Sequence, residues 1–177
     1  LLRIHLVRSA LPYTQFESKS GNSIREEVKP VLRQAGIEAS SETILIFANM
    51  SNWDPVKRTI SQNSPYYASG THLSGTAWQV DSPILDIRSI ADTGNQVQDG
   101  QYGRISLGRY NSIFIGGITH ELGHALGLPH VRELPGEKKL FGTALMGGGN
   151  RTWGEERRGE GNGSFLTLAH ALRLASH

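Results

Sequence analysis

The chain has 177 residues, enough for one domain with a substantial buried core. Its 18 Lys and Arg against 16 Asp and Glu give a net charge of +2, so charge provides no argument for a nucleic-acid or anionic membrane partner. No apolar run approaches the ~20 residues of a membrane-spanning helix, and no signal-peptide pattern opens the chain. Cysteine is absent, which excludes disulfides and any thiolate of this chain that could cap a metal site.

The first third of the sequence has an α/β pattern. Residues 1–7 alternate apolar and polar side chains in part, which predicts a strand. An S-x-x-E capping box at Ser23 and Glu26 predicts the start of a helix, which Pro30 should kink or shorten. The apolar run 43–48 is typical of a buried central strand, and we expect the helix to pack on it. Strand, helix and strand predict a layer with a right-handed crossover.

The middle of the chain is more polar. Residues 49–75 are rich in Ser, Asn, Pro and Gly, and Asp54, followed by proline, could cap a helical turn. Two further strands are predicted over 76–80 and 84–90, the second with the clean alternation typical of a sheet edge. Residues 92–100 carry several oxygen ligands but match no calcium-loop template, so they predict a polar hairpin or loop.

Eleven residues from His120 to His130 fill every defined position of the pattern H-E-x-x-H-x-x-G-x-x-H. On a helix, His120 and His124 project from one face and can share one metal ion. Glu121 follows His120 and projects from the adjacent side of the helix, where it can act as general base on a metal-bound water. Gly127 can end the helix in a left-handed turn, so the chain can bend back and bring His130 to the same ion. Three protein ligands leave a fourth position open, as in a catalytic zinc site.

The helix that carries this motif should be capped by Asn111 or Ser112. Three glycines lie within it, Gly116, Gly117 and Gly123. Each weakens a helix by ~1 kcal/mol relative to alanine, which indicates close packing against the sheet or a ligand.

The same motif, followed sixteen residues after His130 by Met146, resembles the metzincin clan of zinc endopeptidases. The resemblance implies that His130 is the third zinc ligand and that Met146 lies beneath the metal in a Met-turn, as structural support. Val131 is neither the serine typical of matrixins nor the glutamate typical of astacins, so no named family is assigned. The tyrosine that astacins and serralysins carry two residues after the methionine is missing, so we do not expect a tyrosine-assisted mechanism.

The resemblance also implies an α/β (α+β) fold of the metzincin-like zincin type. Such a fold has a mixed twisted sheet, an active-site helix and a small C-terminal subdomain that ends in a helix. An antiparallel edge strand lines its cleft and pairs with extended peptide by backbone hydrogen bonds. We assign that role to 76–80 or 84–90.

We predict two subdomains within one catalytic domain, excised from a longer protein. Residues 1–130 should hold the sheet, the backing helix and the active-site helix. Residues 131–177 should hold the Met-turn and a terminal helix capped by Ser164.

The glycine-rich stretch 147–163 lacks the ending of a phosphate-binding loop. It is either a mobile surface loop or a wall of the pocket for the side chain that follows the scissile bond. Arg151 and Trp153 are the candidate pocket residues.

One catalytic Zn²⁺ is the predicted cofactor. Some metzincins hold a second, structural zinc, and His72 with Asp81 or Asp86 could be its remnant. A single histidine without a second one nearby argues against that site, and we expect neither a structural zinc nor Ca²⁺.

The predicted function is zinc-dependent endopeptidase activity on a peptide or protein substrate, with secretion by analogy with other metzincins. Two alternatives remain open: a zinc-binding pseudo-enzyme or binding module, and a zinc hydrolase of a non-peptide amide. A purely structural metal domain is a third, and it would need four protein ligands.

Overall fold

The structure is a computed structural model and describes residues 2–16 and 20–176, without the side chain of Tyr13. Residue 1 of the predicted first strand and His177 lie outside the described residues. The helices are α1 (Gly21–Gln34), α2 (Leu107–Ala125), α3 (Pro135–Phe141) and α4 (Leu168–Ala175). The strands are β1 (Thr43–Ala48), β2 (Ser51–Asp54), β3 (Thr59–Gln62), β4 (Tyr67–Gly70), β5 (Gly75–Val80), β6 (Gln96–Asp99), β7 (Gly103–Ser106), β8 (Thr143–Ala144) and β9 (Ser164–Phe165).

The sheets mix parallel and antiparallel pairs, as the predicted mixed α/β fold requires. In the first sheet, of order β1-β5-β4, β5 runs parallel to β1 and antiparallel to β4. The second sheet has the order β2-β3-β6-β7, with only β3 and β6 parallel, and β8 pairs with β9. Helix α2 packs against β5 and β4. The main core contains Ile60, Val80, Val97, Tyr110, Ile113 and Phe114.

The predicted first strand is wrong over its described residues. Residues 2–8 form no regular structure, and the side chains of Leu2, Ile4 and Leu6 are 87%, 82% and 97% exposed. A strand needs a neighbour that accepts and donates its backbone hydrogen bonds, and alternation of apolar residues alone does not supply one. The strand at 43–48 is confirmed, but β5 rather than β1 is the centre of its sheet.

The strand predicted over 84–90 is also wrong. This segment is a loop with a short 3-10 turn at Ile87–Ser89, in which the Asp86 carboxylate accepts a hydrogen bond from the backbone N–H of Arg88. The buried side chain of Asn111 accepts from the N–H of Asp86 and donates to the carbonyl of Ile84. These side-chain hydrogen bonds replace those that a strand would make.

The antiparallel edge strand is therefore neither 76–80 nor 84–90. It is β4, which lies within the polar stretch 49–75, where no strand was predicted. That stretch also contains the hairpin of β2 and β3, whose turn is closed by the Asp54 carboxylate, the acceptor for the N–H groups of Val56 and Lys57. The stretch 92–100, predicted to be a polar hairpin or loop, contains a loop at 92–95 and then β6, which forms a hairpin with β7.

Three predicted helix starts need correction. α1 begins at Gly21, so Ser23 and Glu26 are not its capping box, and it continues through Pro30. α2 begins at Leu107, where the Ser106 hydroxyl accepts from the N–H of Arg109, and neither Asn111 nor Ser112 caps it. α4 begins at Leu168 after Thr167, because Ser164 belongs to β9. Within the described residues, no helix has the length and apolar character needed to cross a bilayer.

Candidate metal centre

The imidazoles of the H-E-x-x-H-x-x-G-x-x-H motif converge at the end of α2. The Nε2 atom of His124 lies 3.1 Å from that of His120 and 3.1 Å from that of His130. Tetrahedral zinc with Zn–N bonds of about 2.0–2.1 Å holds neighbouring ligand nitrogens about 3.3 Å apart. The spacing therefore fits zinc, and the exposed His130 leaves one side of the cluster open to solvent.

Backbone carbonyls orient two of these rings. His120 Nδ1 lies 2.7 Å from the carbonyl oxygen of Leu145, and His124 Nδ1 lies 2.8 Å from that of Leu128. A carbonyl only accepts, so each Nδ1 carries the proton and each Nε2 keeps its lone pair for a metal. Burial lowers the pKa of His120 and its two neighbouring imidazoles lower it further, although the Leu145 hydrogen bond opposes the shift. The neutral form that a metal requires is thus favoured.

The turn after α2 brings His130 back to the helix. Gly127 has a φ of 78°, in the left-handed region that favours glycine. Its N–H donates to the carbonyl of His124, and the next N–H, of Leu128, donates to that of Gly123. The backbone of residues 127–128 is therefore tied to the helix end, which fixes the path to the third histidine.

Glu121 is 7% exposed and lies within the same helical turns as the ligands. Burial raises the pKa of its carboxyl, and the nearby His130 lowers it by a smaller amount. A carboxylate in such surroundings is a stronger base than one in water, which suits a group that must take a proton from water.

Met146 packs against α2 beside the histidine cluster. It is 1% exposed, and its sulfur packs on Gly123, where a methyl group would overlap it. Its carbonyl accepts a hydrogen bond from the N–H of Val131, the residue after the third histidine. Because Leu145 holds His120, this turn contacts the chain on both sides of the histidine cluster.

The close packing predicted for the glycines of α2 is present. A methyl group on Gly116 would overlap the Asn150 carbonyl, and one on Gly117 would overlap the Tyr66 hydroxyl. The Asn150 backbone carbonyl and the Tyr66 side chain therefore lie so close to α2 that only glycine fits at these two positions.

Of the candidate pocket residues, Trp153 also packs near Gly116, while Arg151 is exposed. Arg158 ties the glycine-rich segment to α2. Its side chain is fully buried, and one nitrogen, Nη1, donates to the carbonyls of Ile90 and Gly108 and to the Ser112 hydroxyl. Its other terminal nitrogen, Nη2, lies 2.9 Å from the Glu160 carboxylate.

Sequence reasoning missed Tyr66. The Asn150 amide donates to the Tyr66 hydroxyl over 3.3 Å, which joins positions 84 residues apart. Burial raises the pKa of Tyr66 to about 12, and the Glu121 carboxylate adds to the rise. Only the steric demand of Gly117 hinted at a bulky neighbour here, without saying which one.

Among the described residues, the three histidines are the one group placed to share a metal ion. The residues His72, Asp81 and Asp86 do not form such a group in that part of the chain. The donor set is thus nitrogen-only, which suits zinc and not calcium.

Neither protein-family profiles nor curated protein sequences match the chain. Solved structures of OgpA from Akkermansia muciniphila do match. Wild-type OgpA is 26% identical over 85% of this chain and 36% of its own, with a TM-score of 0.58. A second wild-type crystal form is 24% identical, covering 92% and 40%, with a TM-score of 0.63.

Catalytically inactive OgpA in complex with an O-glycopeptide substrate, glycodrosocin, is 23% identical with the same coverage and a TM-score of 0.64. The chain therefore shares the fold of OgpA and spans about two fifths of its length.

Proposed function

We propose that the chain is the catalytic part of a zinc-dependent endopeptidase that acts on O-glycosylated peptides. The observation that carries the proposal is the convergence of three imidazole Nε2 atoms beside a buried glutamate. Three nitrogen ligands with an open side are typical of a hydrolytic zinc site, whereas a structural site is closed by four protein ligands.

His120, His124 and His130 would hold the ion. Zinc, when bound, would lower the pKa of a water molecule and polarise the substrate carbonyl. Glu121 takes the proton from the attacking water as the bond to the carbonyl carbon forms. It then returns that proton to the leaving amine as the peptide bond breaks, so the Glu121 carboxylate is ionised again at the end of the cycle.

The turn at Leu145–Gly149 would be a Met-turn of the metzincin type, with Met146 as support and not as a chemical participant. What favours this role is the buried sulfur on Gly123 and the hydrogen bond from Val131. Gly127 would support the site by setting the path to His130. Arg151 and Trp153 would line the pocket, and the metzincin analogy favours a secreted enzyme.

The glycopeptide part of the proposal rests on the shared fold with OgpA, which was crystallised with an O-glycopeptide substrate. Edge strand β4 supports the peptide part of the proposal, because its outer side pairs with no other described strand. Extended peptide could add to this edge by backbone hydrogen bonds.

Mass-spectrometric mapping of cuts tests the proposal. Zinc-loaded protein is incubated with matched libraries of O-glycosylated and unglycosylated peptides, with Glu121→Ala and a chelator-treated sample as controls. We expect internal cuts in glycosylated peptides that vanish in both controls. Cuts that persist in Glu121→Ala would contradict the mechanism, and zinc binding without any cut would favour a binding module.

A further inference from the structure

Tyr66 lies beside the general base, although it is distant from it in the chain. Its hydroxyl packs on Gly117, four residues before Glu121 and so on the same helix face. Helical side chains lean toward the N-terminus of their helix, so the Glu121 carboxylate extends over the turn that contains Gly117. The phenol and the carboxylate therefore share one side of the site.

The Tyr66 hydroxyl has a hydrogen left to donate. Its oxygen accepts a hydrogen bond from Nδ2 of the Asn150 side-chain amide, a nitrogen that can donate but not accept. Within the described residues, the Tyr66 hydroxyl accepts this hydrogen bond and donates none. Tyr66 is half-buried, so this hydrogen can be offered to water or to a bound ligand.

Tyr66 lines a cavity of about 370 Å³. Its other lining residues include Gln62, Gln101 and Tyr102, together with Ile113 and Phe114 of α2. The side-chain amide oxygen of Gln62 accepts a hydrogen bond from the backbone N–H of Ser64, so the side-chain amide nitrogen of Gln62 remains available as a donor. None of the lining residues is charged, which suits a neutral group with hydroxyls rather than an ion.

The position of Tyr66 beside Glu121 favours the leaving-group side of the reaction for this cavity. Ile113 and Phe114 precede His120 by seven and six residues, which places them about 10 Å along the helix from this histidine. Glu121 must reach the leaving nitrogen to return its proton. The part of the substrate that follows the scissile bond therefore passes on the side of Glu121 where Tyr66 lies.

We propose that Tyr66 contacts the substrate: its hydroxyl donates to an oxygen of the residue that follows the scissile bond. The cavity that Tyr66 lines receives a neutral polar group of that residue, next to the pocket wall proposed for Arg151 and Trp153. The inference rests on the proposed function. The oxygen can belong to a serine or threonine or to a sugar attached to it, since both offer the same acceptor. Asn150 is then a positioning residue, because it holds the phenol oxygen in place.

A binding measurement tests this inference independently of peptide cleavage. Isothermal titration with glycodrosocin, and with the same peptide without its glycan, compares zinc-loaded Glu121→Ala with Glu121→Ala/Tyr66→Phe. We expect about tenfold weaker binding when the phenolic hydroxyl is removed, the effect of one hydrogen bond lost to the ligand. Glu121→Ala/Tyr110→Phe is the matched control. Tyr110 is a core residue of α2, so peptide binding by this variant should not change.

The two peptides identify the acceptor. A loss confined to glycodrosocin assigns the contact to the sugar, and a loss with both peptides assigns it to the peptide itself. Equal binding by the Tyr66→Phe variant and its parent, or no binding of either peptide by the parent, would overturn the inference. The proposed function is judged separately, by the library cuts.

Discussion

The two sides of the candidate site are built in different ways. The metal side comes from eleven consecutive residues, 120–130, whose geometry follows from helix periodicity and one left-handed glycine. The substrate side joins Tyr66 to Asn150, which are 84 positions apart and meet only because glycines on α2 admit them. The chemistry is thus encoded locally, whereas the contacts that would choose a substrate depend on the packing of the whole domain.

The largest expected effect on the metal side is that of His124→Ala. This histidine is the common neighbour of the other two, at 3.1 Å from each, so its loss leaves two separated ligands. We expect the purified protein to lose both zinc and activity, measured by elemental analysis and peptide cleavage. Zinc at full occupancy in this variant would show that the site is held by other groups.

Glu121→Ala should separate chemistry from metal binding. The carboxylate is not among the three converging nitrogens, so zinc content should stay at the parental level. Removal of a general base costs about 10³-fold in kcat. Elemental analysis beside steady-state kinetics checks both parts, and a variant that cleaves at the parental rate would contradict the assigned role.

Gly117→Ala tests the substrate side without removing a polar group. The added methyl would overlap the Tyr66 hydroxyl and push the phenol away from Asn150. We expect about a tenfold lower kcat/KM with unchanged zinc content, comparable to the loss of one substrate hydrogen bond. Gly136→Ala is the control, because nothing lies within 4 Å of its added methyl. Equal kinetics for both variants would mean that the phenol does not depend on this packing.

The smallest expected effect is one of pH. Burial raises the pKa of Tyr66 to about 12, so the phenol stays protonated and able to donate throughout the working range. The ratio of kcat/KM between the parent and Tyr66→Phe should therefore remain constant from about pH 6 to about pH 10. A ratio that collapses toward one above about pH 9 would indicate an ordinary or lowered pKa.

The sequence predicted what short-range geometry controls. The motif predicted that His120, His124 and His130 could converge, and the apolar run at 43–48 predicted β1. Segments whose structure depends on distant partners were predicted poorly. Residues 2–8 look like a strand but have no neighbouring strand, and 84–90 is held in a loop by Asn111, 21 or more positions away.

The same reasoning explains the missed β4 and Tyr66. Residues 67–70 have a composition typical of loops, and they form a strand because β5 offers an antiparallel partner. Nothing local marks Tyr66 as different from the other tyrosines. Its neighbours are set by the approach of two loops to α2, which cannot be read from the residues around it.

Arg158 has a consequence for how such a site can diversify. Its buried guanidinium attaches the glycine-rich segment to α2 through backbone carbonyls of residues 90 and 108, which any side chain at those positions would leave in place. The exposed Arg151 makes no comparable contact with the helix. Substitutions at the outer face of this segment could therefore reshape the proposed pocket wall while its backbone stays where it is, so related proteins could acquire new preferences without rebuilding the candidate metal centre.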